Sequence, residues 1–185
     1  MTNETFQWLL VIPRVPSEPS RHRVAIWREL RRAGAVPVTS GAWAIPDVPA
    51  FTETLGTVRE LAENGNGSLV VLTAAPYGDG DVSSLHDTFV AARTDEWNEF
   101  IADCGKFTAE VDREITKEKF TFGELEEEEQ SLERLRRWHR DLSRRNAIAL
   151  DVAPTASERL AKATEKLAEF SEMVYAANLP TTSAN

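Results

Sequence analysis

The segment Trp27-Arg28-Glu29-Leu30-Arg31-Arg32-Ala33-Gly34 constrains this chain more than any other, because of what stands on either side of it. Before it runs Phe6-Gln7-Trp8-Leu9-Leu10-Val11-Ile12-Pro13, and after it Gly41-Ala42-Trp43-Ala44-Ile45-Pro46. Aromatic and β-branched residues over 6–12 suit a largely buried strand. Pro13, Pro16 and Pro19 are expected to stop that strand and force an extended turn. A helix then starts at Ser17 or Ser20, tolerates Pro19 in its first turn and ends at Gly34, a residue suited to the left-handed position after a helix. Residues 36–39 and 42–45 read as two short strands joined across Ser40-Gly41. Pro46, Asp47 and Pro49 open a second helix through Phe51, Leu55, Val58 and Leu61, and Asn64-Gly65-Asn66-Gly67 ends it. Residues 68–73 form a fourth strand. The order over residues 5–75 is βαββαβ, the ferredoxin-like plan. Its expected core is Trp8, Ile12, Trp27, Leu30, Trp43, Leu55, Leu69 and Val71.

Residues 75–93 read as a looser connection, with Pro76, Gly78 and Gly80 among acids. After Thr94 the spacing changes to three- and four-residue steps: Trp97, Phe100, Ile101, Cys104, Phe107 or Thr108, Val111 and Ile115. Thr121-Phe122-Gly123-Glu124 is a capping box, with Phe120 and Leu125 as its hydrophobic staple. That helix carries Leu125, Leu132, Leu135, Trp138 or His139, and Leu142, and a third, after Pro154, carries Leu160, Leu167, Phe170 and Val174. The expected fold class is α+β: a ferredoxin-like βαββαβ unit over 1–76, then a bundle of three or more long α-helices over 94–177. Residues 178–185 are expected to be a disordered polar tail.

Charge narrows the possible partners. The chain carries a formal net charge of −9, which disfavours broad nucleic-acid binding, so DNA is a possible partner that the charge does not support. Residues 1–50 hold six arginines and four acids, leaving −11 for the remainder. Anion binding is therefore confined to the first unit. The single cysteine, Cys104, excludes an intrachain disulfide and cysteine-rich zinc sites. No apolar run is long enough to cross a membrane, and the N-terminus lacks a basic signal region, so a cytoplasmic location is expected.

Few residues offer chemistry. Asp79, Asp81 and Asp87 lack the offsets and closing Glu of a calcium loop and read as solvated. The acids Glu126–Glu129 followed by Arg134, Arg136, Arg137, Arg140, Arg144 and Arg145 suit the helix dipole and i,i+4 pairing. His22, His86 and His139 have no metal-ligand spacing. Cys104, on the apolar side of its helix, reads as a small core residue rather than a nucleophile. No cofactor motif is present, and no catalytic or metal-binding residue is expected. The first helix is the exception. Arg21, Arg28 and Arg32 face solvent, whereas Arg23 falls in the apolar arc near Trp27 and Leu30. Arg23 either caps a strand-end carbonyl, pairs with a carboxylate, or joins Arg14, Arg21, Ser17 and Ser20 in an anion-binding cradle.

The Arg23-x-x-x-Trp27-Arg28-x-Leu30-x-x-x-Gly34 helix and the Gly41–Pro46 strand resemble the N-terminal domain of the ChrB family of chromate-resistance proteins. Glu118-Lys119-Phe120-Thr121-Phe122-Gly123-Glu124-Leu125-Glu126-Glu127 and Trp138 extend the resemblance from about residue 6 to residue 177. The first half also resembles the ferredoxin-like domain of PaaX-type repressors and of CRISPR adaptation subunits with endoribonuclease-like folds. The resemblance implies a non-enzymatic regulatory or accessory protein of chromate or oxyanion resistance, linked to transcription regulation, with an oxyanion such as chromate as partner. A full-length member continues into a C-terminal domain, and the winged helix that binds DNA in PaaX-type proteins has no counterpart here. The nuclease-like branch expects an acid at the end of the first strand, where this chain has Val11-Ile12-Pro13-Arg14, so a degenerate relative of metal-dependent nucleases is the lesser reading. A self-associating scaffold, as a homodimer through strand edges, is the other.

Overall fold

A computed structural model of the chain describes residues 7–75 and 77–179; Phe6, Pro76 and residues 180–185, which entered the expectations above, lie outside them. The chain divides into two compact units, residues 1–93 with 144–148, and residues 94–143 with 149–185.

In the first unit, β1 (Trp8–Arg14), α1 (Arg21–Ala33), β2 (Val36–Thr39), β3 (Ala42–Pro46), a 3-10 turn (Pro49–Phe51), α2 (Thr52–Asn64) and β4 (Ser68–Ala74) follow in that order. The sheet order is β2-β3-β1-β4 with every pair antiparallel, the ferredoxin-like arrangement expected from the sequence. Each boundary has a local cause. Gly34 ends α1 with φ +89°, where its amide reaches the Arg31 carbonyl. Gly41, at φ +85°, turns the β2–β3 hairpin. Pro13 does not stop β1, which runs on to Arg14. There the strand has β4 alone as neighbour, since β3 pairs only as far as Val11, and no ladder donor is demanded of the proline on a second side.

Two cores flank the sheet. On one face Val11, Trp43, Ile45 and Leu69 pack with Ile26 and Leu30 of α1 and with Phe51, Val58 and Ala62 at α2. Leu55 and Val71 are half-buried against this core. On the other face Trp8, Val36 and Ala44 pack with Phe89, whose ring meets that of Trp8 edge-on at 5.6 Å. Covering both faces explains why all five residues of β3 are buried.

Three expectations need correction here. Residues 79–93 are not a loose connection: α3 runs unbroken from Asp79 to Thr116. Leu85, Phe89 and Ala92, at helical spacing, are what cover the second face of the sheet. Trp27 is not a core residue but is 51% exposed, at the edge of the buried stripe that Ile26 and Leu30 define. Ile12 is half-buried rather than buried.

The second unit is helical. It contains the part of α3 from Thr94, α4 (Phe122–Arg144) and α5 (Val152–Asn178). Phe100, Val111, Leu132, Ala156, Ala163, Phe170 and Val174 are buried to 1% exposure or less. The Thr121 hydroxyl accepts the Glu124 amide at 3.2 Å, so Thr121 caps α4. The reciprocal arm of the box is redirected, since the Glu124 carboxylate binds Lys119 at 3.0 Å. Asn178 belongs to α5 and not to a tail; its side-chain amide donates to the carbonyls of Phe120 and Val174.

Candidate anion-binding site

The junction of β1 and α1 forms a groove of about 300 Å³. Arg14, the last residue of β1, and Arg23, the third of α1, both line it. Ile26 and Trp43, buried in the main core, form its floor, and exposed Trp27 stands at its rim. Pro13, Val15 and Gly41 complete the walls. Arg14 is held in place by the backbone: a Cβ on Gly67 would stand 2.1 Å from the Arg14 carbonyl oxygen and 2.9 Å from the Val15 Cα. Only a glycine lets the start of β4 lie this close to the end of β1.

Both guanidinium groups are exposed, and neither has an ion-pair partner among the described residues. Their neighbours on α1 behave differently. Arg32 grips Glu29 through two bonds, of 3.0 and 2.6 Å. Arg31 lies over the Trp27 ring at 5.5 Å. The structure therefore brings together two residues of the expected cradle, Arg14 and Arg23. Arg21 is exposed and donates from Nε to His22 Nε2 at 3.3 Å, away from the groove lining. Ser17 and Ser20 are exposed on the connection and also lie outside that lining. Ser20 occupies the cap position of α1, but its hydroxyl makes no capping bond. Sequence reasoning missed the part played by Trp43 and Gly41, which reach the groove from a hairpin some twenty residues away. It also missed Arg93, 6% exposed beside Phe89.

The other candidates fall elsewhere. Cys104 is buried, and its thiol is pushed up to about 11 by burial, then by the charge of Asp103, with Arg159 opposing. His139 lies edge-on to Trp97 at 5.4 Å, and burial pushes its imidazole below the ordinary value. Its Nε2 is 3.0 Å from the Ser157 hydroxyl, which itself donates to the Ala153 carbonyl. His86 faces Asp87, at 3.5 Å. None of the three histidines hydrogen-bonds Cys104. Asp79 and Asp81 begin α3 instead of lying on a loop. Among the described residues, no three His, Cys, Asp or Glu side chains are grouped to hold a metal ion. No helix among those residues is long and apolar enough to cross a membrane. On α4, Glu133 pairs with Arg136 and Arg140 at 3.9 and 3.1 Å, as helix spacing expects.

Protein ChrB of Cupriavidus metallidurans is 25% identical over 96 residues, which cover 52% of this chain and 29% of that protein. The aligned region thus spans less than a third of that relative's length. No solved structure matches the chain. The family model described as the N-terminal part of protein ChrB matches residues 23–181, taking in α1, the sheet from β2 onward and all three long helices, and the chain therefore belongs to the ChrB N-terminal family.

Proposed function

We propose that this chain is a cytoplasmic, non-enzymatic regulatory or accessory protein of chromate resistance, and that the β1–α1 groove receives the oxyanion. One observation carries the reading: Arg14 and Arg23, from different elements, line a single groove without a carboxylate on either. Guanidinium forks match tetrahedral oxyanions, and the first-turn amides of α1, left uncapped by the Ser20 hydroxyl, add neutral donors at the same end. The apolar floor of Ile26 and Trp43 weakens solvent screening there. Arg21, Ser17 and Ser20 stand on the approach. The rest of the chain is acidic and repels a free dianion, so capture is confined to this unit.

The test is thermal unfolding with chromate or sulfate at constant ionic strength. The midpoint rises in the parent chain, Arg23→Ala abolishes the rise, and Arg32→Ala, whose side chain is committed to Glu29, keeps it. An equal rise in both variants would reduce the effect to general salt stabilisation. Because Arg23 is exposed, its variant retains the parent far-UV circular dichroism, which is measured first.

A further inference from the structure

Among the described residues of the helical unit, Glu128 is a buried carboxylate without an ion-pair partner. Glu128 follows Leu125 by three residues and precedes Leu132 by four, so α4 carries it onto the face of those buried leucines. It is 7% exposed. Among the described residues it has no hydrogen bond or ion pair, and burial, then the nearby acids Glu110 and Glu114 of α3 and Glu124 and Glu127 of α4, raise its carboxyl. Apart from Arg134, the nearby cations are engaged with other acids. Lys106 binds Asp103 at 2.6 Å, Arg113 binds Glu110, and Lys117 and Lys119 bind Glu114 at 3.3 and 3.0 Å.

Glu128 is nevertheless reachable. It lines a cleft of about 360 Å³ between α3 and α4. Asp103, Phe107 and Glu110 reach this cleft from α3 at steps of four and three, and Ser131 reaches it from α4, three residues beyond Glu128. Lys106 and Arg134 line the same cleft without pairing with Glu128, and a carboxylate left this buried and unpaired is costly until a cation or a proton neutralises it. A metal ion needs several ligands in a shell, and no such group of three is placed here. An ammonium group asks for less: a carboxylate, a neutral oxygen acceptor and an aromatic face, which Glu128, Ser131 and Phe107 supply. Asp103 and Glu110, whose present partners Lys106 and Arg113 are exposed, suit a second positive charge that displaces those surface pairs.

We propose that the cleft between α3 and α4 binds an aliphatic diamine or polyamine, with one ammonium on Glu128 and another toward Asp103 and Glu110. Arg134 also lines the cleft and is the chain's own competitor for the carboxylate. The proposal is independent of the anion groove in the other unit.

Calorimetric titration of the full chain with spermidine, at constant ionic strength, tests it. Saturable binding is expected. Glu128→Gln, verified as folded by circular dichroism, weakens it by at least roughly tenfold, the scale of one lost charged hydrogen bond. Ser131→Ala, which strands no charge, weakens it severalfold, and Arg134→Ala leaves it intact or tightens it. No saturable binding overturns the proposal. So does equal affinity in Glu128→Gln, which would mean diffuse attraction to an acidic chain. Loss of binding in Arg134→Ala also overturns it, because the ligand would then be held as an anion.

Discussion

The guanidinium of Arg93 rests on Gly34: a Cβ built on that glycine would stand 2.0 Å from Arg93 Nη1 and 2.9 Å from its Cζ. The same glycine holds φ +89° at the end of α1. Gly34→Ala therefore pays twice, for the left-handed backbone and for the displaced, 6% exposed arginine. The backbone part alone is about 1–2 kcal/mol. Urea unfolding of the variant is expected to show at least that loss, and Arg93→Ala should partly relieve the steric part in the double variant.

Thr121→Ala removes the oxygen that accepts the Glu124 amide and should cost about 1 kcal/mol. Thr121→Ser keeps the oxygen and should restore most of the loss. Paired denaturation curves decide it.

Lys119 joins Glu114 of α3 to Glu124 of α4 at 3.0 Å each. The bond from Lys119, with help from Lys117, holds the Glu114 carboxyl below its ordinary value, against the effect of burial. The folded chain therefore binds fewer protons there than the unfolded chain. The resulting stability is present above the ordinary carboxylate value near 4.5 and is lost as pH falls through the lower folded one. Lys119→Met should destabilise the protein at neutral pH and shrink the difference in very acidic solution. Melting temperatures across that range provide the measurement.

Glu128 titrates the other way. Burial, then the neighbouring acids, raise its carboxyl above 4.5, so stability falls as pH climbs from 4.5 through the raised folded value. Without added amine, Glu128→Gln should raise the melting temperature at pH 7 and give little or no gain below pH 4.5.

A thiol pushed up to about 11 by burial is un-ionised and shielded at pH 8. Cys104 should react with an aromatic disulfide reagent only as fast as the helical unit opens, and rapidly in urea. Fast labelling of the folded chain would contradict its burial.

The elements of the first unit were legible because their punctuation is local: Gly34, Ser40-Gly41 and Asn64–Gly67 each end something by backbone preference. The start of α3 was not. Gly78 and Gly80 beside Asp79 and Asp81 read as a loop, and what makes the segment a helix is the sheet face that Leu85 and Phe89 cover. Trp27 misled because helical stepping places it on the apolar side with Ile26 and Leu30, whereas the structure leaves it at the exposed edge of that stripe. Half of the candidate groove could be read, since Arg14 and Arg23 flank one junction, but Trp43 arrives through strand pairing at a distance. Glu128 was hidden in a run of four acids. Its register with Leu125 and Leu132 was the available signal, and the dipole explanation of the whole run obscured it.

Gly67 fixes where Arg14 stands by pressing on its carbonyl, not on its guanidinium. Position and chemistry are thus specified by different codons. Exchange at 14 or 23 would change the charge the groove presents while leaving the strand where it is, whereas any side chain at 67 collides with backbone. A lineage built on this chain can alter that charge freely, so long as one residue that contributes no side chain never drifts.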